Sequence, residues 1–87
     1  MYVVYLIVNE NGERYVGFTS NLKRRIESHN TGSNTSTKGH TWKLVYAEAY
    51  LDEEDARERE RRLKQHGQSK WHMYQRASRS IEKAREG

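Results

Sequence analysis

Residues 2–8 (YVVYLIV) form an unbroken apolar run, followed at once by Asn9-Glu10-Asn11-Gly12 and a second β-branched and aromatic segment from Arg14. A run with no polar alternation fits a strand covered on both faces, so the chain must place structure on each side of it. The turn can close in two ways. As a two-residue type I′ turn at Asn11-Gly12, paired positions sum to 23 and Tyr5 and Tyr15 fall on opposite faces. As a three-residue loop with a bulge at Gly12, they sum to 22, and Tyr5 faces Gly17 while Ile7 faces Tyr15. The second register makes the two tyrosines diagonal neighbours on one face with Val3, Ile7 and Gly17. It leaves Val4, Leu6, Val16 and Phe18 as a wholly apolar opposite face. The three-residue loop is expected, because it keeps every polar side chain off that face.

Beyond Tyr15-Val16-Gly17-Phe18 the chain passes through Thr19-Ser20 into a helical pattern, with Ser20 as the expected N-cap. With Leu22 at the centre of the inward face, Ile26 and His29 stay within about 40° of it and Arg25 lies about 60° to one side. Arg24 points away to solvent. The wheel thus separates two adjacent arginines and sets Arg25 beside His29, looking back toward the strand. A cation so placed, next to a tyrosine, suits phosphate handling, although an ordinary basic amphipathic helix gives the same pattern. Residues 31–41 (TGSNTSTKGHT) are the one clearly irregular segment. Their hydroxyls, Lys38 and His40 could contact phosphates, or the loop could be a mobile connection that contacts nothing.

Residues 42–50 (WKLVYAEAY) alternate as a third strand, with Trp42, Leu44 and Tyr46 on one side and Lys43, Val45 and Ala47 on the other. Asp52 can cap a second helix over residues 53–66, with Asp55 at the capping-box position and Leu51 stapled onto Ala56. Ala56 and Leu63 define its inward stripe, and Glu60 falls between them, whereas Glu58 faces solvent and its neighbouring arginines. A carboxylate within the only apolar stripe is costly unless a cation neutralises it. Either a salt bridge to Arg59 or a first-helix arginine, or a metal ion, would serve. Gly67 is the expected C-cap, and residues 68–87 read as one more helix, with Trp71, Tyr74, Ser78 and Ile81 inward and a tail that frays from about residue 79.

The fold expected is therefore α/β (α+β): a small three-stranded antiparallel sheet flanked by about three helices, in the order ββαβαα, as one domain over residues 1–87. With 33% apolar and 32% charged residues the core must be thin, and the aromatic side chains must supply much of it. The absence of cysteine excludes disulfides and thiolate zinc sites, and four scattered histidines make no metal pattern. A net charge of +4 favours a polyanionic partner. The apolar run is too short to span a membrane and lacks the marks of a signal peptide, so a cytoplasmic location and no membrane partner are expected.

In this order these residues resemble the GIY-YIG nuclease family, nearest to its small single-domain bacterial members. Val3-Val4-Tyr5 stands where the first motif is expected, with Val3 in place of its glycine, and Tyr15-Val16-Gly17 where the second is. Arg25 follows the motif glycine by eight residues, His29 comes four later, and Glu60 precedes Lys64 by four. The resemblance covers roughly residues 1–65 and is weaker from Gln68 onward.

The resemblance implies hydrolysis of a nucleic-acid phosphodiester, DNA ahead of RNA, with one divalent cation, Mg²⁺ foremost and Mn²⁺ the substitute, held by Glu60. It implies that Tyr15 orients or deprotonates the attacking water with Tyr5 in support, that Arg25 grips a phosphate oxygen, and that His29 positions Tyr5 or a phosphate. A free phenol titrates near 10 and is a weak base at neutral pH, and adjacent cations favour its ionised form. Gly17, Lys23, Arg24, Lys38 and His40 are the expected nucleic-acid contacts, with Gly17 leaving room for the substrate backbone. A monomer of low sequence specificity, or one that takes its specificity from a protein partner, is expected. The other function this chain could carry is that of a non-catalytic nucleic-acid-binding module on the same fold.

Overall fold

The apolar run becomes the central strand. In the computed structural model, which describes residues 1–86, β1 (Tyr2–Asn9) pairs antiparallel with β2 (Arg14–Thr19) on one side and β3 (Trp42–Tyr50) on the other. From Val4 to Val8 no β1 residue is more than 2% exposed, as a strand covered on both faces requires. The hairpin takes the three-residue loop: Tyr5 pairs with Gly17, Leu6 with Val16 and Ile7 with Tyr15. Gly12 sits at φ 80°, where a side chain would be strained, and its N–H donates to Asn9 O at 3.0 Å.

The two faces sort as their side chains demand. Val4, Leu6, Val8 and Val16 pack under α2 (Glu53–Gln65), α3 (Gly67–Arg76) and α4 (Ser78–Glu86), through Ala56, Leu63, Met73, Ala77 and Ile81. Tyr5 and Ile7 face the other way with Trp42, where α1 (Leu22–Thr31) brings Leu22 and Ile26 against them. The fold is α+β, with four α-helices rather than about three among the described residues.

Several local expectations are corrected. Asn21, not Ser20, caps α1: its side chain accepts from Arg24 N, while Thr19 Oγ1 braces the turn by accepting from Asn21 N at 3.0 Å. The alternation of β3 breaks at a bulge. Leu6 pairs with Tyr46 but Ile7 with Leu44, so the intervening Val45 has no partner and Trp42 and Tyr46 end on opposite faces. Asp52 does cap α2, accepting from Glu54 N and Asp55 N, but Leu51 is 86% exposed and staples nothing.

Gly67 begins α3 instead of ending α2, with His66 as the shared cap residue. The expected last helix is two helices, broken at Ala77, whose N–H still reaches Met73 O. The break turns α4 back across β3, so Met73, Ala77 and Ile81 are buried while Trp71 and Ser78 are exposed. No fraying from residue 79 is seen: Ile81 and Ala84 join the core, and Lys43 Nζ donates to Ala84 O at 3.1 Å. The last residue of the expected helix, Gly87, lies outside the described residues.

One ion pair fixes α2 on the sheet. Glu48, 15% exposed, accepts from Arg59 Nε at 2.8 Å and Nη2 at 3.0 Å, and from the hydroxyls of Tyr46 and Tyr50 at 2.8 and 2.7 Å. Burial alone would raise the Glu48 pKa, but these donors outweigh it and bring it down to about 2. A carboxyl titrating at 4.5 when unfolded and about 2 when folded contributes stability that is complete above pH 4.5 and lost as pH falls through that interval. Glu48→Gln should therefore flatten the acid side of a pH–stability profile. Arg59→Ala should cost roughly 2 kcal/mol in chemical denaturation near neutral pH, by stranding a charged acceptor.

Candidate active site

The hairpin register decides where the phenols go. Because Tyr5 lies opposite Gly17, its ring folds over the glycine, and a Cβ built there would collide with the Tyr5 hydroxyl and ring carbons. Gly17 therefore clears space for Tyr5, not for a substrate backbone as expected. Tyr15, one diagonal away, is half-buried on the same face.

Behind Tyr5 stands His29 of α1, with none of its surface exposed. Its ring packs edge-on to both tyrosines, with centroids 5.7 Å from Tyr5 and 5.2 Å from Tyr15. Nε2 is 2.7 Å from the Tyr5 hydroxyl and Nδ1 is 2.7 Å from Thr37 Oγ1. One tautomer gives every donor in this chain an acceptor: His29 Nδ1–H donates to Thr37 Oγ1, whose own hydroxyl has Asn34 O within 3.4 Å. That leaves Nε2 unprotonated, and Tyr5 O–H donates to it. Burial, with the Arg25 guanidinium second, pushes the His29 pKa down and keeps the ring neutral. Burial first, then Tyr15, and also Glu60, push the Tyr5 pKa upward against the opposing Arg25, so Tyr5 stays a neutral phenol.

Thr37 escaped the sequence reading, as did the order of its loop. Thr35–Thr37 form a single 3₁₀ turn capped by Asn34, and Thr37 is 1% exposed. Trp42 Nε1 donates to Thr37 O at 2.9 Å, and Asn30 exchanges two hydrogen bonds with the Trp42 backbone. A threonine in a polar loop carries no signal of this role; only the spacing of buried donors in three dimensions does.

Arg25 is exposed at the edge of this pocket, near enough to bias both Tyr5 and His29. It lines a groove of about 570 Å³ together with Arg24, Asn21, Ser28 and the 33–35 loop segment. The expected separation of the arginines is thus only partial, because Arg24 reaches the same groove. Lys23, Arg24, Arg25 and Lys38 take no carboxylate partner among the described residues. His40 pairs within the protein. Its Nδ1 meets Glu10 at 2.5 Å across the hairpin loop, and that hydrogen bond raises its pKa.

Glu60 arrives from α2 past the outer strand β2. Ala56 and Leu63 on either side of it are fully buried, and its own side chain is 23% exposed. Its partner is Lys64 at 3.2 Å, not Arg59 or a first-helix arginine, and Lys64 Nζ sits 5.4 Å from the Tyr15 ring centre. Glu58 pairs in solvent with Arg61 and Arg62. Lys64 thus links Glu60 to the Tyr15 ring, and the Glu60 charge adds to the upward push on the Tyr5 pKa. Among the described residues no three carboxylates or imidazoles cluster, and Glu60 is the carboxylate that Lys64 links to Tyr15. That donor set fits Mg²⁺, which keeps most of its waters and takes one or two carboxylates. The flexible Lys64 ammonium, 47% exposed, now holds the place a cation would take beside Glu60.

The family model for the GIY-YIG catalytic domain matches residues 1–82. The chain belongs to the GIY-YIG family. The match runs through α3 and into α4, well past residue 65, where the sequence resemblance was expected to weaken. A UPF0213 protein of Halobacterium salinarum is 36% identical over 67 residues, 75% of this chain and 87% of the relative. A UPF0213 protein of Streptococcus agalactiae is 34% identical over 64 residues, 71% of this chain and 73% of the relative. The structure-specific endonuclease subunit SLX1 homologue of Drosophila mojavensis is 46% identical over 56 residues, 51% of this chain but 18% of that protein. No solved structure matches the chain. No helix among the described residues of this GIY-YIG domain is long and apolar enough to cross a membrane.

Two substitutions test the geometry. Gly17→Ala should displace the Tyr5 ring and destabilise the fold by roughly 1–3 kcal/mol, measured by thermal or chemical denaturation. Thr37→Val should cost roughly 1–3 kcal/mol by stranding His29 Nδ1–H, with Thr37→Ser restoring most of the loss.

Proposed function

We propose that this protein is a divalent-metal-dependent endonuclease that hydrolyses phosphodiester bonds of nucleic acid, DNA ahead of RNA. What supports the reading is the packing of Tyr5 and Tyr15 about His29, with Lys64 linking Glu60 to the Tyr15 ring and Arg25 on the groove along α1, within a family whose model is a catalytic domain. Arg25, exposed and unpaired, can grip a phosphate bidentately and stabilise the charge that builds on its non-bridging oxygens. Tyr15, entering the step as its phenolate, orients the attacking water and takes its proton, becoming the neutral phenol, as the water oxygen bonds to phosphorus and the leaving P–O bond breaks. Tyr5 cannot be that base, because its pKa is raised. Its O–H is committed to His29, so its oxygen lone pairs are free to accept from the water or from Tyr15. Glu60 would hold the cation, Mg²⁺ or Mn²⁺, displacing Lys64. When bound there, the ion supplies Lewis-acid stabilisation of a phosphoryl oxygen and of the leaving oxygen.

Lys23, Arg24 and Lys38 supply sequence-independent phosphate contacts along the groove, which fits recognition of nucleic-acid structure over sequence. The similarity to a structure-specific endonuclease subunit supports the same preference, and leaves room for a protein partner that adds specificity. A single domain acting as a monomer inside the cell suffices for this chemistry. Incubation with branched, nicked and linear DNA should give cleavage in Mg²⁺ that EDTA abolishes. Glu60→Gln and Arg25→Ala should each lower the rate by about a hundredfold or more, with the fold retained. Undiminished cutting by both variants would refute the site, and salt-sensitive binding without cutting would favour the non-catalytic module.

A further inference from the structure

We infer that the cleft where α3 and α4 meet the start of β2 is a second nucleic-acid contact, one that stacks an unpaired base on Trp71. The inference rests on the nucleic-acid reading above and adds a substrate class to it. The two tryptophans have opposite fates. Trp42 is 6% exposed in the core behind the phenols, whereas Trp71 is 57% exposed, because α3 spends its inward face on the buried Met73 and the half-buried Tyr74. Trp71 does not stand alone on the surface. It lines a cleft of about 380 Å³ with Arg14, Tyr74, Gln75, Glu82 and Arg85 among its walls.

The chemistry of those walls selects the occupant. The Arg14 guanidinium lies over the Tyr74 ring, 4.5 Å from its centre, which fixes a cation at the cleft floor. Neither Arg14 nor Arg85 is paired with a carboxylate among the described residues. Residues 67–86 carry five Lys and Arg against two Glu, which is most of the net charge of +4 on the whole chain. A flat indole beside two free guanidiniums on a basic face matches the arrangement by which single-stranded nucleic acid is held: a base stacks and its flanking phosphates are neutralised. Arg14 immediately precedes Tyr15 on the outer strand, and alternation puts them on opposite faces. The cleft therefore lies across the thickness of β2 from the phenols, and one strand wrapping that edge would meet both. A base must be unpaired to stack there, so substrates with single-stranded arms or flaps should bind better than perfect duplex.

The test uses the full chain in EDTA, which prevents cutting, with oligothymidylate and a duplex of equal length as probes. Oligothymidylate should quench the Trp71 fluorescence, and Trp71→Phe, which leaves only the buried Trp42, should show no quenching. By anisotropy of a labelled probe, Trp71→Ala should weaken oligothymidylate about tenfold, with Trp71→Phe within about threefold of the parent and duplex binding unchanged. Arg14→Ala should weaken binding and lower the salt slope by about one. Parental affinity in Trp71→Ala, or equal quenching by duplex, would overturn the inference while leaving the nuclease reading intact. Displacement of oligothymidylate by polyglutamate at equal charge concentration would overturn it in favour of an acidic protein segment. Absence of any nucleic-acid binding would bring down both readings together.

Discussion

An imidazole with no exposed surface must satisfy both ring nitrogens inside the protein, and much of this fold is arranged around that requirement. His29 does so with Tyr5 on one side and Thr37 on the other, each at 2.7 Å. Leaving either nitrogen unpaired at this depth would cost about as much as a sizeable fraction of the stability of a small domain. The requirement reaches outward. It needs the 3₁₀ turn to carry Thr37 in, Trp42 and Asn30 to hold that turn and α1 against β3, and Gly17 to let the Tyr5 ring lie flat. The loop that connects α1 to β3 is therefore one wall of the site.

The same arrangement divides labour between the phenols. Tyr5 is locked as a hydrogen-bond donor to a neutral histidine, so its protonation state is set by structure. Tyr15 has no such partner among the described residues, and Lys64 Nζ lies 5.4 Å from the centre of its ring. Glu60 approaches Tyr15 through Lys64 from the other layer of the molecule. It can do so because the Glu48–Arg59 pair seats α2 on the sheet while Ala56 and Leu63 fix the rotation of the helix. Unpaired cations along the α1 groove, the Glu60 carboxylate on α2 and the neutral hydroxyl of Tyr5 on the sheet are the groups on which the proposed phosphodiester chemistry rests.

How much of this was legible in the sequence follows from which forces are local. The sheet register was readable because one residue of slip would have put a tyrosine hydroxyl into the apolar face. Arg25 and Glu60 were readable because a helical wheel is a local object and their neighbours Leu22, Ile26, Ala56 and Leu63 are apolar. What failed depended on three-dimensional packing. The Val45 bulge leaves no mark in a segment that alternates well as written. The break at Ala77 involves neither glycine nor proline, and comes instead from the need to bring both Met73 and Ile81 onto one sheet. Trp71 was expected inward from a stripe with Tyr74, Ser78 and Ile81 drawn along one unbroken helix, which the break at Ala77 invalidates. Thr37 and the Glu48 cluster were invisible for a shared reason: hydrogen-bond partners far apart in sequence leave no periodicity. The family match to residue 82 has the same origin, since α3 and α4 are tied to the sheet by contacts that their own weak apolar pattern does not announce.

The central claim is that the site is built on a neutral His29 whose proton sits on Nδ1 and whose Nε2 accepts from Tyr5. The direct test is NMR of the imidazole nitrogens at neutral pH, with the His29 signals assigned by comparison with a His29→Asn variant. The account predicts one neutral ring protonated at Nδ1, with that proton slow to exchange, and a tautomer that shifts when Thr37 loses its hydroxyl. A His29 ring protonated at Nε2, or doubly protonated at neutral pH, would contradict it.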